Sequence, residues 1–348
     1  MKNKFIFVSM AVVAISLSSC EDDNTSFIVD PGESNAVTLE TSLYTHQIYY
    51  SLAANKVVAT VDNNAWDLAV QTYGTDSVIV LNSGLPLMVY KTNSTDIDDQ
   101  TEVDASPSWA IDPSSGDPIT GVFAHWKNGE VYIVGIKDLG NPNPALQPVT
   151  AKYKVAFTQS SSGITVKWAD ITLETTTVKE VLLPVTSSDR PFTWFNFTLE
   201  GKALAQPPIQ NSWDIVFSPY TTIVAAGPSV YFYNVKGVRT NRVANTLSYR
   251  YQAADGQTAE YYNDLFNSLN NSDIVSESLS LKADALGYNW KKTTGDVTSG
   301  STSYVIDNTN MYFVQDNEGR QYKFRFTSFY NQSGEEGYVG FEYVLLEE

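Results

Sequence analysis

Apolar and polar residues alternate in short runs along most of this chain, the period that sets successive side chains on opposite faces of a strand. Two of these runs nearly repeat each other. Asn64-Ala65-Trp66-Asp67-Leu68-Ala69-Val70 and Asn211-Ser212-Trp213-Asp214-Ile215-Val216-Phe217 both read Asn, a small residue, Trp-Asp, then an apolar run. Tyr50-Ser51-Leu52 lies as far ahead of Trp66 as Phe197-Thr198-Leu199 lies ahead of Trp213. An internal repeat sets the domain count, so it governs the rest of the reading.

In the first copy the alternation predicts strands over 45–52, 56–61, 66–73, 77–81 and 85–90, with Asn63-Asn64 as a turn signal. Further strands are expected over 131–136, 153–158, 164–168 and 171–173. In the second copy they fall over 192–199, 213–220, 231–235, 310–314, 322–327 and 338–346. Tyr322-Lys323-Phe324-Arg325-Phe326-Thr327 repeats Tyr153-Lys154-Val155-Ala156-Phe157-Thr158 at four of six positions, and Trp290 is matched with Trp109. The copies are offset by 147 residues at the Trp-Asp pair and by 180 at Tyr132 and Tyr312. The extra 33 residues include 259–269, whose apolar residues recur at helical spacing. Insertions of this kind map to loops or lids where binding function tends to sit. The expected fold is all-β: two tandem antiparallel β-sheet domains, 37–178 and 179–348, with one short helix inserted in the second.

The N-terminus has a different character. Lys2 and Lys4 precede an apolar run over 5–17, too short for a permanent membrane span, closed by Leu17-Ser18-Ser19-Cys20. This resembles a lipoprotein signal peptide, 1–20, with Cys20 as the lipidated residue. Glu21-Asp22-Asp23 resembles a surface-export signal of lipoproteins or is part of a solvated tether, and with the polar stretch after it makes a flexible tether over 21–36. The expected location is the outer membrane, lipid-anchored and exposed at the cell surface.

Composition narrows the chemistry. A formal charge of −17 argues against a nucleic-acid partner and against anionic lipid as a binding surface, leaving the lipid as the membrane contact. One cysteine excludes a disulfide framework, and two histidines, His46 and His125, exclude most imidazole-based catalytic and zinc sites. Asp96, Asp98, Asp99, Glu102 and Asp104 loosely match a calcium loop but lack its turn glycine, and read better as a solvated loop. Trp66 and Trp213 read as core anchors, and Asp67 and Asp214 beside them as acceptors for turn backbone.

The aromatic run Phe192-Thr193-Trp194-Phe195-Asn196-Phe197, the Trp213-Asp214-Ile215-Val216-Phe217 run, and the ending Tyr312-Phe313-Val314 through Gly337-Tyr338-Val339-Gly340-Phe341-Glu342-Tyr343 resemble the HmuY-like haem-binding lipoproteins of Bacteroidetes. Tyr44-Thr45-His46-Gln47-Ile48-Tyr49-Tyr50-Ser51-Leu52 looks like the same family's opening strand. The resemblance implies an all-β protein that captures haem at the cell surface and feeds an outer-membrane transporter. It also implies two axial iron ligands, His or Met, in loops ahead of the Tyr312-type strand. The loop over 290–303 contains neither.

Haem iron takes an imidazole, thioether, thiolate or phenolate donor. His125, beside Trp126 in the loop ahead of Tyr132, is the first candidate cofactor-binding residue, and His46, aligned with Thr193, the second. Met88 and Met311 lie in apolar strands and read as core. Lys291 and Lys292 are placed to meet haem propionates, or form an exposed pair on a loop. The alternative to haem binding is a glycan-binding or adhesion lipoprotein with no haem site. A glycosidase needs a pair of carboxylates, and none stands out among the acidic residues, so the expectation is a binding protein and not an enzyme.

Overall fold

The computed structural model describes residues 29–41, 44–99, 103–141, 143, 146–226, 229–296 and 301–347. The expected signal peptide, Cys20, the expected tether up to 28 and Glu102 lie outside the described residues. The strands of the first half are β1 (Ser34–Glu40), β2 (His46–Ser51), β3 (Lys56–Asp62), β4 (Leu68–Gln71), β5 (Ile79–Leu81), β6 (Leu87–Lys91), β7 (Tyr132–Lys137), β8 (Val149–Ser160) and β9 (Gly163–Asp170). Those of the second are β10 (Lys179–Pro184), β11 (Phe192–Phe195), β12 (Ile215–Ala226), β13 (Ser229–Thr240), β14 (Leu247–Gln252), β15 (Lys291–Asp296), β16 (Ser301–Ile306), β17 (Asn310–Gln315), β18 (Gln321–Tyr330) and β19 (Glu336–Leu345). The α-helix, α1 (Ala259–Ser268), is capped by the Thr258 side chain. The protein is all-β, with antiparallel pairing throughout the described sheets.

Four sheets stack as layers. The outer ones run β1-β19-β18-β17-β14 and β10-β9-β8-β7-β6; the inner ones run β13-β12-β2-β3 and β11-β4-β5. Alternation along single strands explains the stacking. In β2, Ile48 and Tyr50 join β12's Ile215 and Phe217 against the aromatic face of β17–β19, while Tyr49, between them, points to the other inner sheet. In β4, Leu68 and Val70 pack against β6–β9, and Ala69 faces inward. The helix covers the far side of the first outer sheet, setting Tyr262, Phe266 and Leu269 against Met311, Phe313 and Val344. Buried Lys323 donates to Asn267 O and Leu269 O at its C-terminus, where a cation is favoured. Lys154, the matching residue of the first half, donates to Ile97 O.

Strands cross the boundary near residue 178. β2 pairs with β12 and β11 pairs with β4, so the opening strand of each half lies beside the Trp-Asp strand of the other. β1 likewise pairs with β19, and β10 with β9. The pairing shifts the correspondence by two residues from the sequence reading. Tyr50 faces Ile215 and Phe195 faces Leu68, so Tyr50 corresponds to Phe195 and not to Phe197. His46 accordingly does not correspond to Thr193.

Other expectations also change. β1 begins inside the segment read as tether, and β10, β14, β15 and β16 are strands that the alternation does not announce. Residues 171–173 form a turn instead of a strand, because Asp170 Oδ1 accepts from both the amide and hydroxyl of Thr172. Trp109 and Trp290 are not counterparts. The bridge from Ala110 to Val89 is repeated by Ser280 to Ser248, ten residues short of Trp290.

Candidate functional site

The two Trp-Asp segments build the centre of the molecule. Each Trp follows a short 3-10 turn, Asn63–Ala65 or Gln210–Ser212. An asparagine at the end of the neighbouring strand fixes each turn. The Asn82 Nδ2 donates to Asn63 O and Trp66 O, and Asn241 Nδ2 donates to Gln210 O and Trp213 O. Asp67 Oδ2 accepts from Phe197 N at 2.7 Å, and Asp214 Oδ2 from Leu52 N at 2.7 Å. Both aspartates therefore bond turn backbone, as read from the sequence, in the turn that follows the exchanged strand of the other half. The rings meet between the inner sheets: Trp66 stacks on Trp194 at 4.8 Å, and Tyr49 meets Trp213 edge-on at 4.9 Å.

Beside this aromatic centre lies a cavity of about 810 Å³, within the range of small-molecule sites. Trp66, Val80, Phe192, Trp213 and Val216 supply apolar lining from the inner sheets. Two loops wall it, one from each half. Asp112 holds the first in place, accepting from Leu81 N at 2.6 Å and from Val122 N at 2.9 Å. The second, around Ala283, is tied to β13 by Thr240 N donating to Ala283 O. Its approach needs a glycine at 237, where a Cβ would lie 2.6 Å from Gly287 O. The loops are joined by Ala283 N donating to Ser115 O, and by Ser114 Oγ donating to Asp284 Oδ2. Ile119, 81% exposed, and Val243, 48% exposed, also line the cavity.

The charges along the lining are unequally partnered. Arg242 faces Asp117 at 3.7 Å and donates to Leu281 O; Lys127 donates to Thr75 O. Arg239 on β13 makes no ion pair or hydrogen bond among the described residues, and its Nε is buried without a partner. Its guanidinium lies over the Tyr220 ring at 5.6 Å, and burial lowers its pKa. Burial raises Asp112 to about 6 despite its two amide donors and the charge of Arg239. Trp66 Nε1, Ser83 Oγ and Thr240 Oγ1, all on lining residues, are likewise buried and unpartnered.

Of the candidate ligands, His125 lines this cavity, exposed, ahead of a 3-10 turn whose Trp126 is buried with its indole N–H donating to Ser77 O. His46 does not: it opens β2 and bonds Thr45 Oγ1 through Nδ1. The structure therefore does not bring the two histidines to one cavity. Met88 and Met311 are buried core. Lys291 and Lys292 are not an exposed loop pair; they open β15. Lys291 lies over the Trp290 ring at 4.1 Å and donates to Lys236 O, while Lys292 pairs with Asp307 at 2.9 Å. The acidic stretch forms turns, with Asp96 Oδ1 accepting from Asp98 N, and the described residues hold no cluster fit for a metal ion. Arg239 escaped the sequence reading because its lack of a partner is a property of the assembled sheets.

Comparison with known proteins places the chain. The HmuY protein family model matches residues 43–343 as one span crossing both halves. The chain belongs to the HmuY family. Solved structures similar to this HmuY-family protein include a candidate HmuY-like haem-binding protein from Bacteroides vulgatus, 12% identical, covering 92% of this chain and 97% of that one with a TM-score of 0.25. An apo HmuY analogue from Tannerella forsythia is 9% identical, with coverage of 94% and 100% and a TM-score of 0.26. Apo PinO from Porphyromonas gingivitis is 10% identical, with coverage of 91% and 100% and a TM-score of 0.30. With overlays this loose, no residue role is carried across from them. No curated protein matches the chain.

Proposed function

We propose that this protein is a surface lipoprotein that binds haem or a related tetrapyrrole in the cavity between its inner sheets and passes it to an outer-membrane receptor. The observation that carries the reading is His125 on the lining of an aromatic, partly polar cavity of about 810 Å³ in a chain of the HmuY family. The lining residues fit such a group in kind. The flat rings of Trp66, Trp213 and Phe192 suit a planar macrocycle, the basic Arg239 and Arg242 on the lining suit its acid groups, and His125 is the one lining residue with an imidazole donor. Bound haem would supply the iron; the chain supplies the donor and the apolar walls.

His46, away from the cavity, has no part in this reading. Lipid attached to Cys20 would tether the protein, and the role is binding and delivery, not catalysis. Haemin titrated into the lipid-free chain is expected to give a saturable Soret shift at one equivalent, weakened by at least about tenfold in His125→Ala, as loss of a metal ligand entails. No saturable shift, with retention on a polysaccharide matrix, would favour the glycan-binding alternative.

A further inference from the structure

The cavity holds one strongly basic group, Arg239, whose side chain lies over the Tyr220 ring but has no acid or hydrogen-bond partner among the described residues. Arg239 projects from β13, two residues beyond the close approach at Gly237 and one before Thr240, whose own hydroxyl is also unpartnered. The nearby acids are already engaged. Asp112 accepts two backbone amides, and Asp284 accepts from the Ser114 hydroxyl. Neither comes within ion-pair distance of Arg239, although both act on it through space. Arg239 is half-buried, with its Nε closed off and unpartnered; a charge drawn partly out of water and left without an acid costs stability, and a ligand that meets it returns that cost. A guanidinium is also the side chain best shaped to grip a planar acid with two parallel hydrogen bonds.

We infer that Arg239 is the anchor for an acidic group, so that the cavity selects flat, ring-based organic anions: the ring body lies against Trp66, Trp213 and Phe192 while the acid meets the guanidinium. This rests on the cavity assigned above and names the class of ligand it takes, without requiring iron. Haem carboxylates belong to the class; so do metal-free tetrapyrrole acids and smaller fused-ring acids.

The test uses the whole lipid-free chain and two probes with the same ring system, 8-anilinonaphthalene-1-sulfonate and its uncharged parent N-phenyl-1-naphthylamine, followed by fluorescence. The wild type is expected to bind the sulfonate in preference to the amine. Arg239→Gln should weaken the sulfonate by at least about tenfold, the scale of a charge-assisted hydrogen bond, and leave the amine within about twofold. Arg239→Lys should recover part of the preference. Thermal melting of each variant checks folding, and Arg239→Gln is expected to melt no lower than the wild type. Equal weakening of both probes, no effect on the sulfonate, or no preference in the wild type would overturn the assignment. Haemin separates this from the broader reading. A wild type that prefers the sulfonate through Arg239 but ignores haemin sinks haem binding alone. Haemin binding unchanged in Arg239→Gln sinks the anchor alone.

Discussion

Asp67 and Asp214 show how much a single side chain can tie together here. Each sits beside the Trp of its repeat and gives a carboxylate oxygen to an amide in the turn that follows a strand of the other half. Asp214→Ala would leave Leu52 N buried without an acceptor, and is expected to lower stability by about 1–3 kcal/mol in urea denaturation; no change would contradict the role. Burial raises Asp67, Asp112 and Asp214 to about 6 from a starting value of 3.8. With the folded pKa above the unfolded one, the folded chain binds more protons between those values, so these groups make stability fall as pH rises from about 4 to about 6. Burial alone would raise Glu130 and Glu342, but hydrogen bonds from Lys91 and Tyr132 lower Glu130, and those from the Ser34 hydroxyl and Arg325 lower Glu342; these two act oppositely, and their stabilisation is lost as pH drops through and below about 4. Thermal melting is expected to peak near pH 5 and to be lower at pH 7; a melt that rises from pH 5 to 7 would contradict this. The backbone-bonding role of the two aspartates was legible in their shared place after Trp. Their partners were not, because a strand from the far half is invisible to local pattern.

At the scale of elements, strands with one face in an aromatic core declared themselves. β2, β7, β17, β18 and β19 carry dense apolar and aromatic runs because both faces are covered, one by a core and the other by helix, loop or second sheet. β1, Ser34–Glu40, and β10, Lys179–Pro184, are edge strands that bury little, and β15 with β16 forms an isolated ribbon rich in Lys, Thr and Ser. Such segments carry too little hydrophobic contrast to read. The same edge strands carry the exchange between halves, so sequence alone suggests two separable domains where pairing links them. Expressed separately, residues 29–178 and 179–348 are expected to show no cooperative unfolding, because each lacks the strands that complete its sheets. Mixing them should restore a cooperative transition. Either half melting cooperatively alone would show that the cross-pairing is dispensable.

For the whole molecule, four stacked sheets create one place where both halves, two loops and an unpaired cation meet. His125 could be found from the sequence by its donor chemistry and its loop. The cavity around it could not, since its walls come from residues more than 160 positions apart that only the exchanged pairing brings together. A net charge of −17 makes an arginine without an acid partner on the cavity lining more telling, since a generally acidic surface does little to attract organic anions and the local field has to do so. The most direct measurement is the position of iron, by anomalous scattering, in crystals of the chain grown with haemin. The account predicts one iron per chain at the inner-sheet cavity, on the His125 side. Iron at His46 or at the β15–β16 ribbon with the cavity unchanged, or no ordered iron at all, would contradict it.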